Sequence, residues 1–291
     1  MTDYLTTKEV AALLRIKERK VYGLAAAGKV PCSKAAGKLL FPREEIEAWV
    51  ARDQTGAPPG VLPPPPNVFL GSHDPLLEWA LRESRSGLAT YLDGSTDGLR
   101  RIEAREGQAA AIHLFDPEAG TWKTPAVLGS ASRLPVVLIG WAKRQRGLVL
   151  QPGLKPTIST IKDLTGHRFA ARQPDAGAQL LFQYHARISG LEPGSLKSTI
   201  TARTETDAAL AVLDGKADAC FGLQALAQQY RLDFVPIVEE RFDILVDRRS
   251  WFEPPMQAFM NFCRSAAFRR RAAELPGYDI SGLGTVHFNG R

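Results

Sequence analysis

Two groups of residues in this chain are of types and spacings that do chemistry. The first group lies where strand-like runs give way to helix-like runs: Gly71-Ser72-His73-Asp74-Pro75, Gly94-Ser95-Thr96-Asp97-Gly98, Arg172-Gln173-Pro174-Asp175-Ala176-Gly177 and Thr204-Glu205. A helix N-terminus presents unpaired amides and partial positive charge, so such junctions favour anions. Ser72, Ser95, Thr96 and Thr204 add hydroxyl donors there, and Gln173 an amide. Arg172 is the strongest candidate anion contact, because a guanidinium grips an oxyanion through two parallel hydrogen bonds. Helix capping is the plainer use of Ser72, Asp74, Ser95 and Thr204. Four such junctions in one region point instead to a shared cleft. His73 and His113 lack HxxxH or Cys-His spacing for a transition metal, so they enter as hydrogen-bonding candidates of that cleft and not as metal ligands.

The second group is basic and N-terminal. Lys17, Arg19, Lys20 and Tyr22 fall away from the apolar face of a helix expected over residues 17–27, and Lys34 and Lys38 fall on an expected hairpin. Arg and Lys at such places meet phosphates or base edges in a major groove, with hairpin lysines on flanking phosphate or minor groove. A merely solvated helix face is the alternative, and the order of elements weighs against it. Thr6-Thr7-Lys8-Glu9 is a capping box ahead of a first helix with Val10, Leu13 and Leu14 at helical spacing. Gly28 ends the second helix, which carries Val21 and Leu24 on its inner face. A hairpin over 30–34 and 39–41 follows, turning at Ala35-Ala36-Gly37-Lys38, and Pro42 opens a third helix with Ile46, Trp49 and Val50. Short helix, tight turn, helix and hairpin make a winged helix-turn-helix, mostly α, over residues 1–52.

Residues 53–67 separate this module from the rest: six of the fifteen residues are proline. Proline fixes φ and lacks an amide donor, so the stretch is a linker, with a stiff polyproline II run at Pro63–Pro66. Beyond it, residues 68–291 alternate strand-like and helix-like runs, which predicts parallel sheets covered by helices: an α/β region large enough for two lobes. Val136–Trp141, Gly147–Leu150 and Phe234–Val238 are among the expected strands, and the chain crossings between lobes are expected near 141–150 and 236–241.

Composition sets the outer limits. At 291 residues the chain has room for about two domains, and at 44% hydrophobic it buries a sizeable core. The longest apolar run, 134–142, is broken by Pro135 and Gly140 and falls short of a membrane span, and no secretory pattern opens the sequence. Three scattered cysteines, Cys32, Cys220 and Cys263, encode neither a zinc ribbon nor a disulfide framework. A cytoplasmic protein with no required cofactor is expected. The net charge of +6 admits a polyanionic partner. P-loop, GxSxG and HExxH patterns are missing, so an enzyme is not expected.

Two resemblances sharpen these expectations. Leu5-Thr6-Thr7-Lys8-Glu9-Val10-Ala11, Lys20-Val21-Tyr22, Gly28-Lys29-Val30-Pro31 and Ile46-Glu47-Ala48-Trp49 resemble the excisionase-type, MerR-like DNA-binding domain, with Lys17 where that family often has a small hydroxyl cap. Residues 68–247 resemble the type II periplasmic-binding-protein-like domain of cytoplasmic regulators, akin to molybdate- and tungstate-binding proteins. The likeness is carried by Gly71–Pro75, Ile112-His113-Leu114, Arg146-Gly147-Leu148, Arg172-Gln173, Gly215–Ala219, Leu232–Pro236 and Glu239–Asp243. It implies sensing of molybdate, tungstate or a molybdenum-cofactor-related species, and adds Arg241 to the ligand-binding candidates. Where that family often has Gly-Ser-Gly-Thr-Arg, this chain has Asp175-Ala176-Gly177-Ala178-Gln179, and where it has Thr-His, this chain has Thr204-Glu205. Asp175 and Glu205 repel a dianion if they face the cleft, which favours a larger ligand needing both donors and acceptors. The reading is a ligand-responsive regulator that binds double-stranded operator DNA as a homodimer or homotetramer. The alternatives are an enzyme or accessory protein of molybdenum-cofactor handling, and an excisionase-like architectural protein.

Overall fold

The computed structural model of the chain describes residues 4–35, 37–52, 64–118, 134–192 and 194–290, with residues 120, 122, 129 and 131. Two compact units divide it, Met1–Pro63 and Pro64–Arg291. The expected linker lies outside the described residues from 53 to 63, as does Ala36 of the expected turn.

The first unit runs β1 (Tyr4–Leu5), α1 (Thr7–Leu13), α2 (Glu18–Ala26), β2 (Ser33–Ala35), β3 (Lys38–Pro42) and α3 (Arg43–Arg52). Thr6 caps α1, and Glu9 returns to the Thr6 amide at 2.7 Å, so two otherwise orphaned donors are satisfied. Leu5, Val10, Val21, Val30, Phe41 and Ile46 close a small core. The three strands pair antiparallel in the order β1-β3-β2, which makes the wing. The hairpin's first strand begins at Ser33, later than the expected residue 30: Pro31 has no amide to give a ladder, and Val30 is buried in the core instead.

The second unit is a ten-stranded mixed sheet with helices. Its elements are β4 (Val68–Gly71), α4 (Pro75–Glu83), β5 (Ala89–Tyr91), α5 (Ser95–Glu103), β6 (Ala109–Ile112), β7 (Val136–Leu150), β8 (Arg168–Arg172), α6 (Gly177–Ile188), β9 (Lys197–Ala202), α7 (Glu205–Leu213), β10 (Ala219–Leu223), α8 (Gln224–Gln229), β11 (Asp233–Asp247), α9 (Pro254–Cys263), α10 (Ala266–Ala273), β12 (Tyr278–Asp279) and β13 (Val286–Asn289). The strand order is β5-β4-β6-β11-β7-β10-β8-β9, with β12 and β13 also on β7. Strands β4, β5 and β6 are parallel to one another, as are β8, β9 and β10. Each trio, with its helices, is one lobe.

The expectation of parallel sheets holds within each lobe and fails between them. β7 and β11 are fifteen residues each, pair antiparallel along almost their whole length, and run from one lobe to the other. The far half of β11 joins β6 of the first lobe, and the far half of β7 joins β10 of the second. Sequence pattern divided β7 in two because Lys143, Arg144, Gln145 and Arg146 interrupt its apolar run. β9 escaped notice because five of its six side chains are exposed, so no buried alternation marks it. Helices α9 and α10 are separated at Ser265, whose hydroxyl accepts from the Phe268 amide and caps α10.

Glycines permit two close approaches that matter for the site. Gly71 has φ +98°, and a Cβ there would lie 2.2 Å from the Ala111 carbonyl oxygen. A Cβ on Gly177, at the start of α6, would lie 2.6 Å from the His113 carbonyl oxygen, so glycine lets the second lobe come down on the first.

Candidate ligand-binding centre and nucleic-acid face

Side chains two apart on a strand share a face, and directly opposed residues of an antiparallel pair share it too. Arg144 and Arg146 therefore project together from β7, and the register that opposes Glu240 to Arg144 adds Glu240 from β11. All three are fully buried at the passage between lobes. Glu240 accepts from Arg144 at 2.6 Å and lies 2.9 Å from Arg146.

The first lobe contributes Asp74, the N-cap of α4, whose Oδ1 accepts from the Leu77 amide at 2.7 Å and whose Oδ2 accepts from Arg144 at 2.7 Å. The Tyr278 hydroxyl donates to the same Oδ2. The second lobe contributes Glu205, the first residue of α7, which receives both terminal nitrogens of Arg146 at 3.0 and 2.9 Å. Arg172 reaches Glu205 at 2.9 Å and donates to the carbonyls of Ala202 and Arg203. Arg144 lies over the Phe242 ring, 3.9 Å from its centroid.

Charge balance follows from these contacts. Burial pushes the Glu205 carboxyl up, but Arg146 and Arg172 outweigh it and hold its pKa at about 2. Glu240 is likewise buried, and Arg144 and Arg146 hold it far below the usual carboxylate range. Burial lowers the His113 pKa against the pull of Glu240, so His113 is neutral at pH 7. An ionised Glu240 only accepts, so the Nδ1 of His113, 3.0 Å away, carries the proton. Three guanidinium groups thus face three carboxylates, Asp74, Glu205 and Glu240, and the centre is neutral overall.

Around it stand most of the sequence candidates. The Ser72 and Ser95 hydroxyls are 2.6 Å apart, and Ser95 Oγ accepts from the His113 amide at 3.0 Å. His73 Nε2 is 3.0 Å from Glu78, while its buried Nδ1 has no partner among the described residues. Thr96 donates to the Asp175 carbonyl at 3.1 Å and Gln173 to Asp93 at 3.2 Å, so both tie one lobe to the other. Asp175 joins the lobes through its carbonyl, and Glu205 faces the centre.

Two candidates stand apart. Thr204 caps α7, accepting from the Asp207 amide at 2.9 Å. Arg241 follows Glu240 on its strand and donates to Asp243 at 2.7 Å instead of joining the centre. Asp74 was read from sequence only as a helix cap, which it is, and Arg146 and Glu240 only as parts of stretches that carry the resemblance; Arg144 and Tyr278 were not picked out, and the Arg-x-Arg spacing inside an apolar run was the available signal for the two arginines. Among the described residues no cluster of three or more His, Cys, Asp or Glu side chains is placed to hold a metal ion.

Asp243 yields a pH prediction. Burial pushes its carboxyl up to about 6 against the opposing pull of Arg241. A folded pKa above the ordinary 3.8 means the folded state binds more protons between those values, so this group's contribution falls as pH rises from about 4 to 6. Asp243→Asn removes that dependence. Urea unfolding should show the variant gaining on the natural chain by up to about 3 kcal/mol between pH 4 and pH 7; a constant difference across that window refutes the assignment.

In the first unit, Lys17, Arg19, Lys20, Tyr22, Lys34 and Lys38 are all exposed. Lys17 is the N-cap of α2 and makes no side-chain capping bond, so its ammonium stays available to solvent or phosphate. Val21 is fully buried between Lys20 and Tyr22, which fixes the outward face of the helix.

Fold and centre together define a two-lobed binding-protein domain that follows a helix-turn-helix module in one chain. Residues 78–264 match the PBP superfamily domain, more than half of the chain, and the chain belongs to that family. Residues 4–54 match the Helix-turn-helix domain. Over 306 aligned residues the chain is 26% identical to "Uncharacterized protein YvgK" of Bacillus subtilis (strain 168), covering 98% of each protein. It is 26% identical over 109 residues to "Uncharacterized protein in ferredoxin 2Fe-2S gene 5'region" of Clostridium pasteurianum, spanning 37% of this chain and 96% of that one. Among solved structures, a putative phosphate ABC transporter substrate-binding protein from Clostridium perfringens is similar in fold, with TM-score 0.50, 12% identity and coverage of 72% of this chain and 97% of that one. Both matched domains are of binding types. No helix among the described residues is long and apolar enough to cross a membrane.

Proposed function

We propose that this protein is a cytoplasmic, ligand-responsive transcription regulator without catalytic activity, acting on double-stranded operator DNA as a homodimer or homotetramer. The observation that carries the reading is the joining, in one chain, of a helix-turn-helix with an exposed basic second helix to a two-lobed binding domain with its polar centre at the lobe passage. On this reading Lys17, Arg19, Lys20, Tyr22, Lys34 and Lys38 meet DNA, and the residues around the passage, Ser72, His73, Ser95, Thr96, His113, Arg172 and Gln173, meet the ligand. Two copies are invoked because a module of this size makes few base contacts, and paired half-sites supply the missing specificity.

For the ligand, the resemblance supports molybdate, tungstate or a molybdenum-cofactor-related species. The centre itself favours the larger of these. A bare dianion entering here meets Glu205 and Glu240, both ionised, while a ligand offering donors and acceptors has the Ser72–Ser95 hydroxyls to engage, and His73 Nδ1 and Gln173 Oε1, which have no partner among the described residues. Ligand shifts the lobes between open and closed, and that difference in state is what DNA affinity would read.

The test is a thermal-shift titration with molybdate, tungstate and molybdenum cofactor, sulfate as control, followed by binding to DNA selected from a random pool. A ligand at about 100 times its Kd stabilises by about 2.7 kcal/mol. A selective shift accompanied by altered DNA affinity is expected. Bound ligand with DNA affinity, DNA bend and assembly state all unchanged overturns the regulatory reading.

A further inference from the structure

The seat formed by Arg146, Arg172 and the start of α7 has the make-up of an oxyanion site, and it is already filled. Arg146 gives both terminal nitrogens to Glu205 at 3.0 and 2.9 Å, and Arg172 gives a third contact at 2.9 Å. Glu205 is 1% exposed, Arg146 0% and Arg172 8%, so the seat is out of water. Glu205 opens a nine-residue helix, so its carboxylate also sits where the helix favours negative charge. Planar, bidentate, charge-assisted contacts of this kind are how guanidinium groups hold free carboxylates and oxyanions. The Arg146 Nε is buried with no partner among the described residues.

We propose that Glu205 is a built-in anion: its carboxylate occupies the cleft's oxyanion seat and thereby excludes small free oxyanions, making it a specificity-determining residue. The proposal deepens the reading of this cleft as the ligand site, since it says which class of ligand the natural chain refuses. Removing the carboxylate leaves Arg172 without a counter-charge and Arg146 with Glu240 alone, on either side of the space the side chain vacates. A small oxyanion or a free carboxylate then takes the place of the missing side chain.

The experiment compares the full-length chain with its Glu205→Ala variant in thermal unfolding, with acetate, sulfate and molybdate added in turn. The natural chain should show no anion-specific shift. The variant should melt lower in plain buffer and recover about 5–10 °C at roughly 100 times the anion's Kd. A second variant, Glu205→Ala with Arg172→Gln, should lose most of that recovery, because one guanidinium of the seat is gone. Where Glu205→Ala does not fold in plain buffer, the yield of folded protein refolded with each anion is read instead. Equal anion response in variant and natural chain, or no recovery with any anion, overturns the proposal. These outcomes do not depend on whether DNA affinity responds to ligand, so failure here and failure of the regulatory reading are told apart.

Discussion

Glu240→Ala is expected to destabilise the protein by about 3–5 kcal/mol, the cost of stranding buried charge, whereas Glu239→Ala, one residue away, should change stability by less than about 0.5 kcal/mol. Glu240 is fully buried and shared by Arg144, Arg146 and His113. Glu239 is 57% exposed and pairs with Lys143 at 3.0 Å, itself 55% exposed. Strand alternation puts these neighbours on opposite faces of one sheet, so composition is held constant while burial changes. Removing Glu240 leaves Arg144 with Asp74 and Arg146 with Glu205, each short of one counter-charge in a place water does not reach. A domain of this size loses roughly 2–4 °C of Tm per kcal/mol, so melting should fall by about 6–20 °C. Similar melting of the two variants would show that the centre is open to solvent and that its charges are screened.

The pH dependence of the same centre has a definite sign. Glu205 titrates at about 2 in the fold and ordinarily at 4.5, so its contribution is complete above pH 4.5 and drains away as pH falls toward 2. Burying His113 neutral acts in the same direction from a higher starting point, since unfolding lets it take a proton below its ordinary 6.5. Asp243 works in the opposite direction between 4 and 6. Asp243 is therefore the one to replace if the acid limb is to be assigned cleanly.

How much of this was legible in sequence depended on whether a residue's signal was local. The Thr6–Glu9 box and the Gly28 stop are each local signals, Val10, Val21 and Ile46 each stand at helical spacing within their own segment, and the winged module follows from them. The junction hydroxyls were legible for the same reason: Ser72 and Ser95 open or precede helices, and parallel strands β4 and β6 bring both beside His113. Arg172 was recognised as charged and well placed. Its partner Glu205 was flagged only as a departure that would repel a dianion if it faced the cleft, and the structure places it between Arg146 and Arg172.

The remaining members depend on register and on distant pairing, which composition does not carry. Arg241 entered through the resemblance, yet its neighbour Glu240 is the buried member; a single step along a strand exchanges faces. Tyr278 reaches Asp74 across 204 residues of sequence. Even β7 read as two strands, because buried arginines look like an interruption until β11 brings Glu240 to both and the two lobes add Asp74 and Glu205.

Replacing Arg19 and Lys20 together by alanine should reduce operator affinity by about a hundredfold or more while leaving Tm unchanged. Both side chains are exposed on α2, and neither makes a contact that the core of the first unit needs. Loss of a base-edge contact costs about 1–3 kcal/mol, and ordinarily relaxes preference at one position of the site. Loss of a phosphate contact weakens binding to all sequences alike and flattens the dependence of log K on log salt by about 0.9. The single variants separate these roles. Whichever of Arg19→Ala and Lys20→Ala preserves the ratio of operator to random-DNA affinity has lost a phosphate contact; the one that lowers the ratio has lost a base. Val21, the residue after Lys20, is fully buried and holds α2 on the core, so Val21→Ala should lower Tm and DNA affinity together. That pattern marks damage to the scaffold. Unchanged operator affinity in the double variant would move DNA contact off Arg19 and Lys20 and leave Lys17 and the hairpin lysines, Lys34 and Lys38, as the remaining basic candidates of the module.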